Sequence, residues 1–293
     1  MQTAILVLLA AAILAWLCSS VRRRAQATLR AAPLLVWGAP AILTALFCGV
    51  AIASGAFRAQ LALTVAIYLA APTLCVAVQG TGSAARPGFL DFLAIVLLWL
   101  PLEFAAGAPL VPRASQGFLH SVTYGIAILL ALVLFLGFRA FPGLKYNLPR
   151  AARDYWLPLA AFAVLAPVLA MLGYLIGFIP LPHVPTQAGG RMGAAVVVVF
   201  LGTALPEEIL FRSLIQNLLM LRFGTGTRML LLASLIFGCA HLDNGPQALP
   251  NWRYMILATI AGVAYGKVFQ KASTVLSSAG LHMLVDWTKH FFF

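Results

Sequence analysis

Charge is what this sequence has least of. Only 9% of its 293 residues are Asp, Glu, Lys or Arg, where a soluble globular domain carries about 25%. Too few charges remain to cover a surface that faces water, which excludes an ordinary soluble domain. A hydrophobic share of 62% excludes a disordered chain. Acidic residues are scarcer still, seven against nineteen Lys and Arg, for a formal charge of +12. The basic residues form no stripe with interleaved aromatics, so a nucleic-acid partner is not expected. Alternating segments of about ten residues, the pattern of an outer-membrane barrel, are absent. The four cysteines, Cys18, Cys48, Cys75 and Cys239, lie in or beside apolar runs and form no CxxC pair. Neither a zinc ribbon nor a disulfide framework is indicated. The HExxH pattern of a zinc protease is missing too, and no internal repeat is visible.

What is present is a succession of apolar runs, most of them near the roughly 20 residues that cross a bilayer as a helix. They fall at about 3–20, 33–54, 60–79, 88–111, 118–138, 157–180, 193–221, 229–242, 254–270 and 273–290. The expected fold is all-α, a polytopic transmembrane helical bundle of about eight to ten spans, with its chemistry in the C-terminal third. Mean hydropathy is +0.99. Arg22, Arg23 and Arg24 follow the first run, whereas a cleaved signal peptide carries its charges ahead of the apolar stretch. The run reads as a retained first helix with its N-terminus outside. On that count most basic residues fall on inside connections, as the positive-inside rule requires. The longest polar connection, about 139–156, holds Pro142, Gly143, Asn147 and Pro149, which favour turns. A second irregular loop is expected at 181–192. The proposed division is 1–180, transmembrane helices of unassigned role, and 181–293, the functional core. Residues 1–180 hold just three acidic residues, Asp91, Glu103 and Asp154; residues 193–293 hold the other four, with three of the five histidines.

An ionisable side chain at bilayer depth costs about 2.5–3.5 kcal/mol on insertion scales, so each one needs a reason. The stretch VVVVFLGTALPEEILFRSLIQNLLM, 196–220, sets Glu207, Glu208 and Arg212 in apolar surroundings. Pro206 suits the first turn of a helix, and a helix beginning or kinking there would favour both carboxylates. On that helix Glu208 and Arg212 are i,i+4 neighbours and can pair. Glu207 points about 100° away, and the sequence offers it no basic residue one turn off. Its partners must come from other segments. The candidates are His241, ending 231–241, and His282, with Asp286 one turn later on the same face. Glu207, His241, His282 and Asp286 converging between helices would make one polar cavity.

Three motifs carry a resemblance: EExxxR (Glu207, Glu208, Arg212), FxxxH (Phe237, His241) and HxxxD (His282, Asp286). Together they resemble, in order and rough spacing, the CPBP family of CAAX-protease and bacteriocin-processing intramembrane glutamic endopeptidases, over about residues 190–293. The resemblance implies a metal-independent protease without a cofactor. It makes Glu207 the glutamate that activates a water, and His241 the residue that shares it. His282 and Asp286 take the oxyanion site, Glu208 and Arg212 support it, and Phe237 packs against it. A common form of the family's last motif ends in Asn where this chain has Asp286. A carboxylate does not donate unless protonated, so Asp286 either orients His282 or stays neutral.

The implied partners are a membrane protein or peptide substrate, lipidated or C-terminally processed in one form, and the lipid bilayer. The expected location is a bacterial-type plasma membrane, crossed many times. The competing readings are a transporter relaying ions or protons through the same buried groups, and a non-catalytic scaffold or immunity-type protein. A His/carboxylate zinc site is a further alternative. Glu103, His120, His183 and His290 read as interfacial or solvated groups. Trp252, Trp287 and Phe291 to Phe293 read as interfacial anchors. Gly262 and Gly266 form a GxxxG that permits close helix approach, here for internal packing.

Overall fold

The computed structural model describes residues 1–82, 86–186, 189–245 and 249–293. Among the described residues there is no strand, and every regular element is helical. The chain divides into two compact units, Met1–Pro142 and Gly143–Phe293.

The first unit contains α1 (Gln2–Ala15), α2 (Ser19–Ala31), α3 (Gly38–Ala53), α4 (Ala59–Ala77), α5 (Phe89–Glu103) and α6 (Gln116–Ala131). A π-helical stretch, Leu132–Phe138, continues α6. The first apolar run is shorter than expected. It ends at Ala15, and α2 leaves it at 79°. The arginines expected on a connection therefore lie on a helix. Arg22 helps set the corner, because its guanidinium donates to the carbonyls of Trp16 and Leu17, each at 2.8 Å, groups that a helix end leaves unsatisfied. Deeper in the unit, Arg139 closes a buried ion pair with Asp91. Nε–Oδ1 is 3.0 Å and Nη2–Oδ2 is 3.3 Å. The same guanidinium donates to the carbonyl of Gly80 at 3.1 Å. Asp91 in turn accepts from the Gly88 amide at 2.8 Å and from Gln79 at 3.1 Å, which caps α5.

The second unit contains α7 (Arg153–Leu175), α8 (Gly189–Val199), α9 (Leu205–Glu208), α10 (Asn217–Phe223), α11 (Thr227–Cys239), α12 (Trp252–Lys271) and α13 (Val275–Phe292). The expected loop at 181–192 is helical from Gly189 on, and its residues 187–188 lie outside the described residues. Two π-helical stretches, Phe200–Ala204 and Ile209–Gln216, join α8, α9 and α10 into one rod, Gly189–Phe223, of 35 residues. Pro206 therefore does not open a helix. It has no amide hydrogen to complete the i→i−4 ladder and its ring crowds the preceding turn; the turn ahead of it widens to π. Glu207 and Glu208 sit in mid-rod, where the helix N-terminus no longer favours their charge.

The connection 143–152 is fastened to the α12–α13 corner. Lys145 Nζ donates to the carbonyls of Phe269, Gln270 and Ala272 at 2.7–3.0 Å, a cationic cap on the end of α12. Asp154 accepts from the amides of Arg150 (2.8 Å), Ala151 (3.0 Å) and Ser273 (2.7 Å). Thr274 Oγ1 donates to the Asn147 carbonyl. α11 and α12 lie against each other through glycines. A Cβ added at Gly262 would stand 3.1 Å from the Phe237 ring, and one at Gly238 would stand 2.7 Å from the Met255 carbonyl oxygen. The GxxxG of α12 thus serves packing inside the unit.

Five helical stretches are long and apolar enough to cross a membrane: Pro33–Ala53, Ala59–Ala77, Arg113–Phe138, Arg153–Leu175 and Gly189–Phe223; the bent α1–α2 pair would make a sixth. Eight to ten spans counted every apolar run. Of the others, α5 has 15 residues and α11 has 13, while α12 and α13 carry more polar side chains. Leu159, Val164, Met171 and Leu175 of α7 are exposed, as lipid-facing residues are. The protein is a multi-pass membrane protein on this pattern.

Candidate active site

The rod and α13 bring the EExxxR and HxxxD motifs face to face. The π-helical turns on both sides of α9 matter here, since such turns collect at functional sites by re-aiming side chains. Sequence spacing puts Glu207 and Glu208 on different faces. In the structure both carboxylates reach one imidazole, from opposite edges. Glu208 Oε1 lies 3.1 Å from His282 Nδ1, and Glu207 Oε2 lies 3.8 Å from His282 Nε2. Asp286 Oδ2 stands 3.3 Å from the same Nε2.

The two glutamates differ in exposure. Glu208 is wholly buried, whereas 22% of the Glu207 side chain and 27% of the Asp286 side chain are exposed. Glu208 Oε2 accepts from Arg212 Nε at 3.2 Å and from Ser278 Oγ at 2.5 Å. A buried charge requires this kind of saturation. Arg212 is itself fully buried, with its guanidinium carbon 4.9 Å from the Phe237 ring centroid and 5.9 Å from that of Tyr265. The aromatic faces take the side of the cation that Glu208 does not.

Phe237 is the hub of the packing. Its ring meets Phe211, His241 and His282 edge to face, at 4.9, 4.8 and 5.6 Å between centroids. Tyr265 stacks on His282 at 4.7 Å. The histidines are thereby held at fixed angles. His241 lies in the turn after α11, and its Nδ1 is 2.8 Å from the Phe237 carbonyl. With Nδ1–H donating there, Nε2 is left as an acceptor.

A cavity of about 80 Å³ opens on this group, lined by His241, His282, Asp286, Tyr254, Tyr265 and Lys289, among others. It has room for two or three waters, at about 30 Å³ each. Three of the four expected catalytic side chains therefore line one cavity, and Glu207 meets them at His282. Among the described residues, no three His, Cys, Asp or Glu side chains are set to hold one metal ion.

The C-terminal third of the chain matches a protein family. Residues 191–288 fit the family model of type II CAAX prenyl endopeptidase, Rce1-like. This is the CPBP assignment that the motifs imply, and it embraces all three of them. No curated protein and no solved structure matches the chain. The Rce1-like region supports a protease working in a membrane.

Several residues around the Rce1-like motifs are invisible to motif reading. Ser278 had a signal, since Ser278, His282 and Asp286 follow each other at i, i+4 and i+8 on α13. Tyr265, Tyr254 and Lys289 had none beyond an apolar or interfacial background. The Lys289 ammonium lies 4.0 Å from the Tyr254 ring centroid, and its side chain lines the cavity. Two expected anchors pack against the unit, Trp287 half-buried and Phe291 buried. Trp287 donates to the Met192 carbonyl at 2.9 Å. Glu103 belongs to the first unit, where it accepts from Trp99 Nε1 at 2.8 Å.

Proposed function

We propose that the second unit is an intramembrane glutamic endopeptidase, which hydrolyses a peptide bond of a membrane-associated protein with a water activated by Glu207 and without a metal ion. Glu207 is the exposed member of the acidic pair, and a general base must be ionised and within reach of its water. Glu207 takes one proton as the water oxygen attacks the peptide carbonyl carbon. The neutral Nε2 of His241 accepts a hydrogen bond from the same water and helps carry the proton to the departing amine as the C–N bond breaks.

His282 stabilises the oxyanion. Carboxylates accept only, and they face both of its ring nitrogens, which suits the doubly protonated ring. Its Nε2–H, shared with Asp286 Oδ2 at 3.3 Å, is the donor offered to the developing charge. Asp286 keeps that ring in place, the orienting one of the two roles open to it. Glu208, Arg212 and Phe237 hold the arrangement rigid. The catalytic core of this reading is 181–293. Substrates carrying a lipidated, C-terminally processed tail fit the family description, and the setting is a bacterial-type plasma membrane.

The observation that carries the reading is the His282 imidazole, clasped between a sealed carboxylate and two half-open ones beside a water-sized cavity. Glu207→Gln tests it in liposomes holding a candidate membrane substrate. Peptide cleavage by the parent chain, unaffected by a metal chelator and abolished in a normally folded variant, supports it. Cleavage that survives in the variant, or that the chelator stops, overturns it. A parent chain that cuts nothing but moves protons would make the buried groups a relay instead.

A further inference from the structure

The first unit holds a larger cavity than the candidate active site, about 330 Å³ against about 80 Å³. It lies among α3, α4, the end of α5 and the start of α6. Phe47, Leu61, Val65, Leu102, Val111 and Leu119 supply much of its wall. Apart from His120, whose ring lies 6.5 Å from that of Tyr124, polar residues in the wall turn their donors to the chain's own backbone. Tyr68 donates to Leu98 O at 2.6 Å, Thr64 to Gln60 O at 2.9 Å and Thr123 to Leu119 O at 2.8 Å. Gln116 donates to the carbonyls of Ala108 and Val111, both at 3.2 Å. The lining therefore presents apolar surface, and a polar metabolite would find few donors. Apolar walls hold water poorly, and an unfilled cavity forfeits dispersion contacts. A hydrocarbon chain suits both conditions.

The charge at the mouth narrows the occupant further. Arg58 is the N-cap of α4, three residues before Leu61, and Arg113 precedes α6 by the same interval before Gln116. Both arginines are exposed. Both stand at the end of the helices where the cavity lies, because the wall takes the first turns of α4 and α6. The acid at that end, Glu103, is engaged by Trp99 Nε1 at 2.8 Å. Neither arginine lines the slot; two arginines carried at that end of it complement a phosphate joined to an acyl chain, and each basic side chain near a bilayer surface favours anionic lipid.

We infer that this cavity is a binding site for one anionic glycerophospholipid, with an acyl chain in the slot and the phosphate between Arg58 and Arg113. The site is independent of the proposed catalysis.

Native mass spectrometry of the full chain tests this, with an equimolar mixture of phosphatidylglycerol and phosphatidylcholine. The parent chain should retain one phosphatidylglycerol, preferred about tenfold. The double variant Arg58→Glu, Arg113→Glu should lose the preference while its lipid-free melting temperature stays unchanged. Thr123→Trp should fill the slot and lose the bound lipid altogether. Ala108→Trp, on another wall, does the same should Thr123→Trp fail to fold. Equal retention of the two lipids by the parent overturns the site, and so does a preference that survives the arginine and filling variants.

Discussion

The two units bury charge in opposite ways. In the first, Asp91 and Arg139 form a closed pair, both buried, with their remaining hydrogen bonds taken by Gln79, Gly80 and Gly88. In the second, Glu208 and Arg212 are as thoroughly buried, yet His282 carries their network onward to Glu207 and Asp286, which stay partly open. A saturated pair fixes helices in place and has no valence left for a ligand. A network that ends at half-exposed carboxylates has a sealed end that fixes geometry and an open end able to exchange protons. Burial of charge alone does not mark a site; an unfinished boundary does.

The sharpest way to break this comparison is to disable the open end. Glu207→Gln should lower peptide cleavage by about 10²–10⁴-fold with no loss of helical signal or melting temperature, read by gel-based cleavage in liposomes. His241→Ala should fall in the same range. Removing a sealed-end partner should act on the fold instead. Arg212→Ala leaves Glu208 with an uncompensated buried charge and should cost about 3–5 kcal/mol, seen as lost thermal stability in detergent. Asp91→Ala should cost a similar amount in the first unit. Cleavage per folded molecule should then stay near that of the parent, and a loss as deep as that of Glu207→Gln would erase the distinction.

Smaller effects sharpen the picture. Gly238→Ala should destabilise by about 1–3 kcal/mol through overpacking, because its Cβ would stand 2.7 Å from the Met255 oxygen. Asp286→Asn should give the mildest change, about tenfold in cleavage rate with stability kept. Asn still reaches His282 Nε2 but gives up the negative charge. A rate loss equal to that of Glu207→Gln would make Asp286 a participant in proton transfer.

Much of the second unit was legible from residue type and spacing. Glu208 and Arg212 pair at i,i+4 as read, and His282 and Asp286 share a face one turn apart. The glycines of α12 meet α11, as a GxxxG allows. The misreadings have physical causes. A periodicity argument assumes a uniform 3.6-residue turn, so it does not show the π-helical stretches on either side of the two glutamates. Hydropathy counts apolar length without seeing Arg22 turn back on the end of α1. It also places terminal aromatics at an interface, although Phe291 is packed inside.

By itself the sequence determined that this chain is helical and lives in lipid, because so few charges cannot cover a surface that faces water and, without the alternating pattern of a barrel, long apolar runs satisfy their backbone in lipid as helices. It also named the side chains too expensive to be idle in that medium. Tertiary structure alone decided which glutamate is sealed and which is open, and that the first unit encloses an apolar slot. Those outcomes depend on the aim of side chains from helices far apart in sequence, set by close packing that no local pattern encodes.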